Sequence, residues 1–486
     1  MLFTTVPFAL LFLPLTLLGF FAWARVSHAA AAAWLLVASL FFYGFWMPEF
    51  TLLLVGSIAC NFALGLRLVR QPLGQRGRWL TAGVVFNLGL LGYFKYANFF
   101  VSSLNSATGW QLPGAEVVLP IGISFYTFTQ IAFLVDVSRG KVQEVNPVHY
   151  GLFVTYFPHL IAGPVLHHGQ MMPQFAQDAT YRPQPRRLAV GLAIFALGLI
   201  KKVVLADGIA PYADAVFTPA DAGLLPSTPE AWLAAVAYTL QLYFDFSGYS
   251  DMAIGLSLLF NVRLPFNFDS PYQARSISDF WRRWHISLST FLRDYLYIAL
   301  GGNRHGAVRR YANLAITMVL GGLWHGASWT FVVWGALHGL YLMVNHGFRA
   351  ALGEARCAWL ATQRWFSAGS WALTLVAVVV AWVFFRATSF EGAGRMLTAM
   401  AGHGGSPQAL WNAGLQASVG WLWCAVLGAL ALWAPNSNRI GQWLEARGAG
   451  AAFAWWVGTW GLAVALLMVL LNTVRDSVSA FIYFNF

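Results

Sequence analysis

Leu314–Trp334 reads LAITMVLGGLWHGASWTFVVW, an apolar run of membrane-crossing length that carries one titratable side chain, His325. A helix needs roughly 20 apolar residues to cross about 30 Å of hydrocarbon, and runs of this kind recur from one end of the chain to the other. With 58% hydrophobic and 10% charged residues in 486, too little polar surface remains to wrap a soluble globule. The expectation is an all-α polytopic membrane protein, with 23 Trp and 17 Tyr available for interfacial belts.

Charge sets the expected topology. Arg67, Arg70, Arg76 and Arg78 form the first dense basic loop, which the positive-inside bias places in the cytoplasm after spans at roughly 2–23, 29–46 and 50–66. Further spans are expected near 79–94, 119–135, 188–205, 232–260, 311–329, 330–346, 371–385, 419–434 and 453–472, about eleven or twelve crossings with both termini outside. The first run lacks a basic flank and is read as a retained helix rather than a signal peptide. Residues 149–166 hold Pro158, Gly163 and Pro164 and read as a broken or re-entrant segment, which must line protein or water. Ala206–Ala231 carries Asp207, Asp214, Asp221 and Glu230 with no Lys or Arg and reads as an external loop. Lys201 and Lys202 fall near the outer end of their span and fit this scheme worst, so they either snorkel or face a cavity. The whole chain, 1–486, reads as one membrane-embedded domain: N-terminal spans 1–146, a core 147–346, and C-terminal spans with an aromatic tail 347–486.

The formal charge of +11 does not point to nucleic acid, because the Lys and Arg lie in short loops between apolar runs. Cys60, Cys357 and Cys424 are far apart and offer neither a disulfide framework nor a CxxC metal pair. His159, His167 and His168 cluster beside the broken segment, but their spacing does not establish the ligand geometry zinc requires, and no metal is expected. An imidazole inside an apolar run is costly unless it faces a cavity, a pathway or a reacting group. His325 is therefore the leading functional candidate. The segment before it holds Arg275, Arg282, Arg283, Arg293, Arg304, Arg309 and Arg310 against Asp279 and Asp294, the strongest cytoplasmic anion site in the chain. Asp245, Ser247, Tyr249 and Asp251 lie at helical spacings in or beside a span and must be paired or wet.

Several longer motifs occur in order: Pro120–Gln130 (PIGISFYTFTQ), Phe157–Pro164 (FPHLIAGP), Arg282–Ser287 (RRWHIS), Trp324–Gly326 (WHG), Phe384–Ala387 (FFRA) and Phe481–Phe486 (FIYFNF). Together they resemble the membrane-bound O-acyltransferase family, in particular its bacterial branch that acetylates alginate, cellulose and peptidoglycan. His159 and Asn485 stand where that branch commonly has glutamine. The resemblance implies a bundle of membrane helices, with re-entrant and cytoplasmic helices around a central tunnel. It also implies that His325 is the catalytic histidine and that His285 is the second polar residue of the site. Acyl transfer to a hydroxyl needs a base for the hydroxyl proton, and a neutral imidazole suits that task. His285 is left with three roles: orienting the thioester, stabilising the oxyanion or relaying the proton.

On the same resemblance the donor is acetyl-CoA from the cytosol. Arg282, Arg283 and Arg304 are candidates for its phosphates, since guanidinium binds phosphate oxygens in bidentate fashion; anchoring to anionic lipid is their other reading. Tyr483 is either an interfacial anchor or a first acyl acceptor. As acceptor, it would pass the group to a periplasmic SGNH-type transferase, a separate polypeptide because this chain has no GxSxG elbow. The expected setting is the bacterial inner membrane, with membrane lipids around the spans and an exported polysaccharide as final acceptor. Transport of a polysaccharide or lipid-linked sugar is the competing class, and a non-catalytic export scaffold a third. Transporters often carry internal repeats with paired broken helices, and no convincing repeat is found.

Overall fold

The computed structural model describes residues 1–114, 117–142, 146–160, 163–447, 450–473 and 481–482, and no strand occurs among them. Among the described residues six helices are long and apolar enough to cross a membrane: Pro7–Ala24, Pro48–Arg70, Gly77–Thr108, Pro185–Asp221, Arg364–Arg386 and Ala452–Thr473. The pair Ala417–Trp433 and Ser437–Ala446, bent by 48°, makes a seventh if it is one span. The chain is an all-α multi-pass membrane protein. Other segments expected to cross are shorter helices, such as His28–Gly44 and Ile123–Ser138. Some are richer in buried polar groups, such as Thr228–Leu259 with Thr239, Asp245, Ser247 and Asp251.

One expectation is corrected. Residues 206–221 are not a loop, because the Pro185–Asp221 helix runs straight through them. Their carboxylates serve as helix partners: Asp221 accepts from the Thr388 and Ser389 N–H groups at the start of Phe390–Met400. Glu230 accepts from Ser227 and from the Leu410 N–H. The two spans expected at 311–329 and 330–346 are two helices, with the break a little earlier than expected. One helix, Gly306–His325, ends on the histidine, and the next, Trp329–Thr362, begins after an extended Gly326. Ser328 supplies the cap, its Oγ accepting from the Thr330 N–H at 3.3 Å.

The contacts group into two compact units. The first comprises Met1–Leu199, Tyr249–Pro265 and Gly441–Ala480. In it Pro185–Leu199 packs along Ala451–Thr473, and a Cβ at Gly461 would stand only 2.8 Å from the Ala193 nitrogen, the small-residue contact that lets membrane helices approach closely. The broken segment is here: Pro147–Thr155 gives way to Phe157–Leu160. The Phe157 N–H freed by the break donates to Ser39 Oγ at 3.2 Å.

The second unit comprises Ile200–Gly248, Phe266–Ile440 and Phe481–Phe486, of which Phe481 and Ile482 are described. Its centre is the hairpin of Gly306–His325 and Trp329–Thr362. A side chain on Gly322 would collide with the Phe331 carbonyl, and one on Gly335 with the Met318 carbonyl, so the two helices meet backbone to backbone. That closeness fixes where His325 leaves its helix.

Candidate active site

His325 is buried at the helix end, ringed edge-on by Trp324 at 5.0 Å, Trp334 at 5.1 Å and Phe385 at 5.2 Å between ring centroids. A side chain on Gly326 would strike the Phe331 ring, so glycine is required immediately behind the histidine. The second histidine comes from another element. His285 precedes the Ile286–Phe291 helix, and its ring centroid lies 6.3 Å from that of His325 with the planes inclined at 54°.

His285 adopts a left-handed backbone, φ 45° and ψ 53°, a conformation uncommon for a side-chain-bearing residue and concentrated at functional sites. A strap made by Asn267–Asp269 holds it there. The Ile286 N–H donates to the Asn267 carbonyl at 3.0 Å, and the Asp269 N–H to the Arg283 carbonyl at 2.9 Å. Asn267 Oδ1 also accepts from the Ser287 N–H at 3.2 Å and from Ser287 Oγ at 2.9 Å.

Because a backbone N–H can only donate, that atom is the amide oxygen. His285 Nδ1, 3.2 Å away, must then carry the proton it gives to Asn267. The neutral ring therefore turns a bare Nε2 lone pair into the protein, and among the described residues that atom has no hydrogen-bond partner. Burial pushes the His285 pKa down to about 3. Trp334 Nε1, on the ring beside His325, is likewise a buried polar atom without a partner among the described residues. A buried polar atom without a partner calls for one, such as a water or a bound group.

His338 is fully buried beside this site and accepts from Trp281 Nε1 at 3.3 Å, while its Nε2 also has no hydrogen-bond partner among the described residues. Among the described residues no group of three or more His, Cys, Asp or Glu is placed to hold a metal ion.

The arginines separate. Arg283 bonds Asp279 at 3.1 Å and the Asp269 carbonyl at 3.3 Å, and with Arg275 and Arg364 it lines a cleft of about 800 Å³. Arg282 and Arg304 are exposed. Tyr483 lies outside the described residues. The two residues before it are placed: Phe481 is fully buried, its ring 5.6 Å from that of Phe246, and the Ile482 N–H donates to Asp245 Oδ2 at 3.1 Å. Phe246 in turn stands 4.7 Å from the His285 ring.

The family model for MBOAT, the membrane-bound O-acyltransferase family, matches residues 116–385, a stretch that contains both histidines. The chain belongs to the membrane-bound O-acyltransferase family. It is 38% identical to a peptidoglycan O-acetyltransferase of Helicobacter pylori, over 100% of this chain and 98% of the relative. It is 47% identical to a probable alginate O-acetylase of Azotobacter vinelandii, over 82% and 78% of the two chains. A teichoic acid D-alanyltransferase of Streptococcus thermophilus is 30% identical over 46% of this chain and 56% of its own. The protein is an O-acyltransferase.

In this O-acyltransferase the sequence alone did not single out Asn267, Phe246 or Trp334. Asn267 had a visible signal, since it sits in a polar stretch among aromatics, Phe266–Phe268. Its role depends on a strap that closes across residues 267–287. Arg275, from the basic segment 275–310, and Arg364 share the cleft with Arg283.

Proposed function

We propose that the protein moves acetyl groups from cytosolic acetyl-CoA across the bacterial inner membrane for O-acetylation of an exported or cell-surface polysaccharide of the alginate, cellulose or peptidoglycan type. The observation that carries the reading is the buried His285–His325 pair, with the unpartnered Nε2 of His285 beside it. The names of the peptidoglycan- and alginate-acetylating relatives support the acceptor class.

In this mechanism His325 takes the proton of an attacking hydroxyl as its oxygen bonds to the thioester carbonyl carbon. The C–S bond breaks, and the thiolate of coenzyme A leaves and recovers the proton from the imidazolium. His285, too weak a base to hold a proton near neutrality, holds the single hydroxyl hydrogen at its Nε2 lone pair before reaction and so orients the oxygen, and that hydrogen passes to His325 as the oxygen attacks. A separation of 6.3 Å between ring centroids suits one oxygen lying between them, at about 2.6–3.2 Å from each reacting nitrogen. Tyr483 supplies the first hydroxyl, one residue beyond the docked Ile482, and a periplasmic SGNH-type transferase collects the ester. Arg283, with Arg282 and Arg304 nearer solvent, meets the donor phosphates. Incubation of the purified protein with acetyl-labelled acetyl-CoA tests the reading. Label must appear as an ester on the protein or on added glycan; transport of unmodified glycan without acetyl turnover would reverse it.

A further inference from the structure

Lys202, the residue that fitted the charge scheme worst, is buried between two carboxylates, 2.8 Å from Asp207 Oδ1 and 2.6 Å from Asp245 Oδ1. It stands in a π-helical turn, Ile200–Ala206, within the long Pro185–Asp221 helix, and such widened turns are found frequently at functional sites. Charges buried in an apolar chain are expensive and weak evidence for stability as such. A use is visible on the other oxygen of Asp245, which accepts the Ile482 N–H at 3.1 Å. The next residue on the same helix, Phe246, touches both Phe481 and His285. Asp245 and Phe246 thus grip two successive residues of the last segment by different means, a carboxylate acceptor for the backbone and a ring for the side chain, and Phe246 also contacts His285.

We propose that the Lys202–Asp207–Asp245 cluster is the seat of the Phe481–Ile482 segment, and that Asp245 is a positioning residue for acyl transfer to the residue that follows. Lys202 fixes the orientation of Asp245; Asp245 holds the segment; Phe246 sets its distance from His285. The positioning role rests on the reading of Tyr483 as acyl acceptor, whereas the seat itself does not.

The experiment uses the full chain in lipid nanodiscs with acetyl-CoA. Two readouts are taken by mass spectrometry: hydrogen exchange of the peptide containing residues 481–486, and acetyl on Tyr483. Asp245→Ala removes the acceptor but leaves Lys202 paired with Asp207. Ile482→Pro removes the donated N–H without touching the buried cluster, and so guards against a folding defect in the first variant. Both are expected to speed exchange in that peptide and to lower Tyr483 acetylation by about tenfold or more, the scale of one hydrogen bond to a charged group. Exchange elsewhere stays unchanged, and Asp245→Asn, which keeps one oxygen acceptor, recovers part of both signals. Wild-type protection and acetylation in both Asp245→Ala and Ile482→Pro would overturn the proposal. If the wild type is protected but never acetylated at Tyr483, and the variants lose that protection, the seat stands and the acceptor reading falls.

Discussion

The rings of His285 and His325 lie 6.3 Å apart at 54°, and the amide oxygen of Asn267 dictates which nitrogen of His285 carries its proton. The two imidazoles are therefore not interchangeable. His285 is fixed as an acceptor, which leaves His325 as the group that takes up the proton in the proposed transfer.

Replacing His325 by Ala is expected to lower acetyl transfer by at least about a hundredfold, the usual lower bound for losing a general base. Trp324, Trp334 and Phe385 remain to hold the site together, so membrane insertion and the melting temperature in detergent change little. Radiolabel transfer measured alongside thermal melting checks this. A folded variant with wild-type turnover removes His325 from the chemistry.

Asn267→Asp tests the tautomer argument. A carboxylate against Nδ1 favours the imidazolium and raises the His285 pKa from its depressed value, so that Nε2 becomes a donor where the site needs an acceptor. The rate–pH profile of the variant should gain an acid limb, with activity falling as pH drops through the raised pKa. Superimposable profiles for variant and wild type would mean that His285 Nε2 does not meet the reacting hydroxyl.

The same burial predicts a stability effect with a definite sign. The folded pKa of His285 is pushed down to about 3, below its ordinary value of 6.5, so the unfolded chain binds more protons between those limits. Stability from this residue is therefore present above pH 6.5 and is lost as pH falls below it, by at most about 1.4 kcal/mol per pH unit. Denaturation midpoints of wild type and His285→Gln, compared from pH 7 to pH 4, should converge as the pH is lowered. Parallel curves would show that the residue is not neutral and buried in the folded protein.

Much of this architecture was readable before any coordinates. Composition points to a membrane fold, and continuous apolar runs of roughly 20 residues point to helices rather than to the short alternating strands of a barrel, while the WHG and RRWHIS motifs mark both histidines. What stayed hidden depended on closure in three dimensions. The acidic stretch 206–231 looked like a loop because the partner of Asp207 lies one helical turn back and that of Asp221 some 167 residues on. Lys202 looked misplaced because Asp245 is distant in sequence. The break between the spans expected at 311–329 and 330–346 falls slightly earlier, at Gly326–Ser328, because apolar length does not mark helix ends, whereas Ser328 before Trp329 is an N-cap signal that locates it.

Arg283, Arg275 and Arg364 share one cleft, which makes a prediction about the donor distinct from a general loss of basic charge. Arg283→Ala or Arg275→Ala should weaken acetyl-CoA binding, with a deficit that shrinks at high salt as the charge interactions are screened. Exposed Arg304→Ala should cost less. Calorimetric titration at two ionic strengths gives the comparison, and equal, salt-independent affinities for all the variants would return these arginines to holding topology.

Tyr483 follows directly on Ile482, whose backbone is bonded to Asp245, so its hydroxyl can be removed without disturbing that contact. Tyr483→Phe keeps the ring and any packing it makes. If the phenol carries the acetyl group, the variant still binds acetyl-CoA but forms no ester on the protein, and acetylation of the exported glycan falls to background. An interfacial anchor behaves differently, since phenylalanine serves the purpose nearly as well and product acetylation should stay within about twofold of wild type. Mass spectrometry of the intact protein and of cell-surface glycan from the same strain separates these outcomes, because loss of the glycan ester with normal acetyl on the protein would place the defect downstream of this chain.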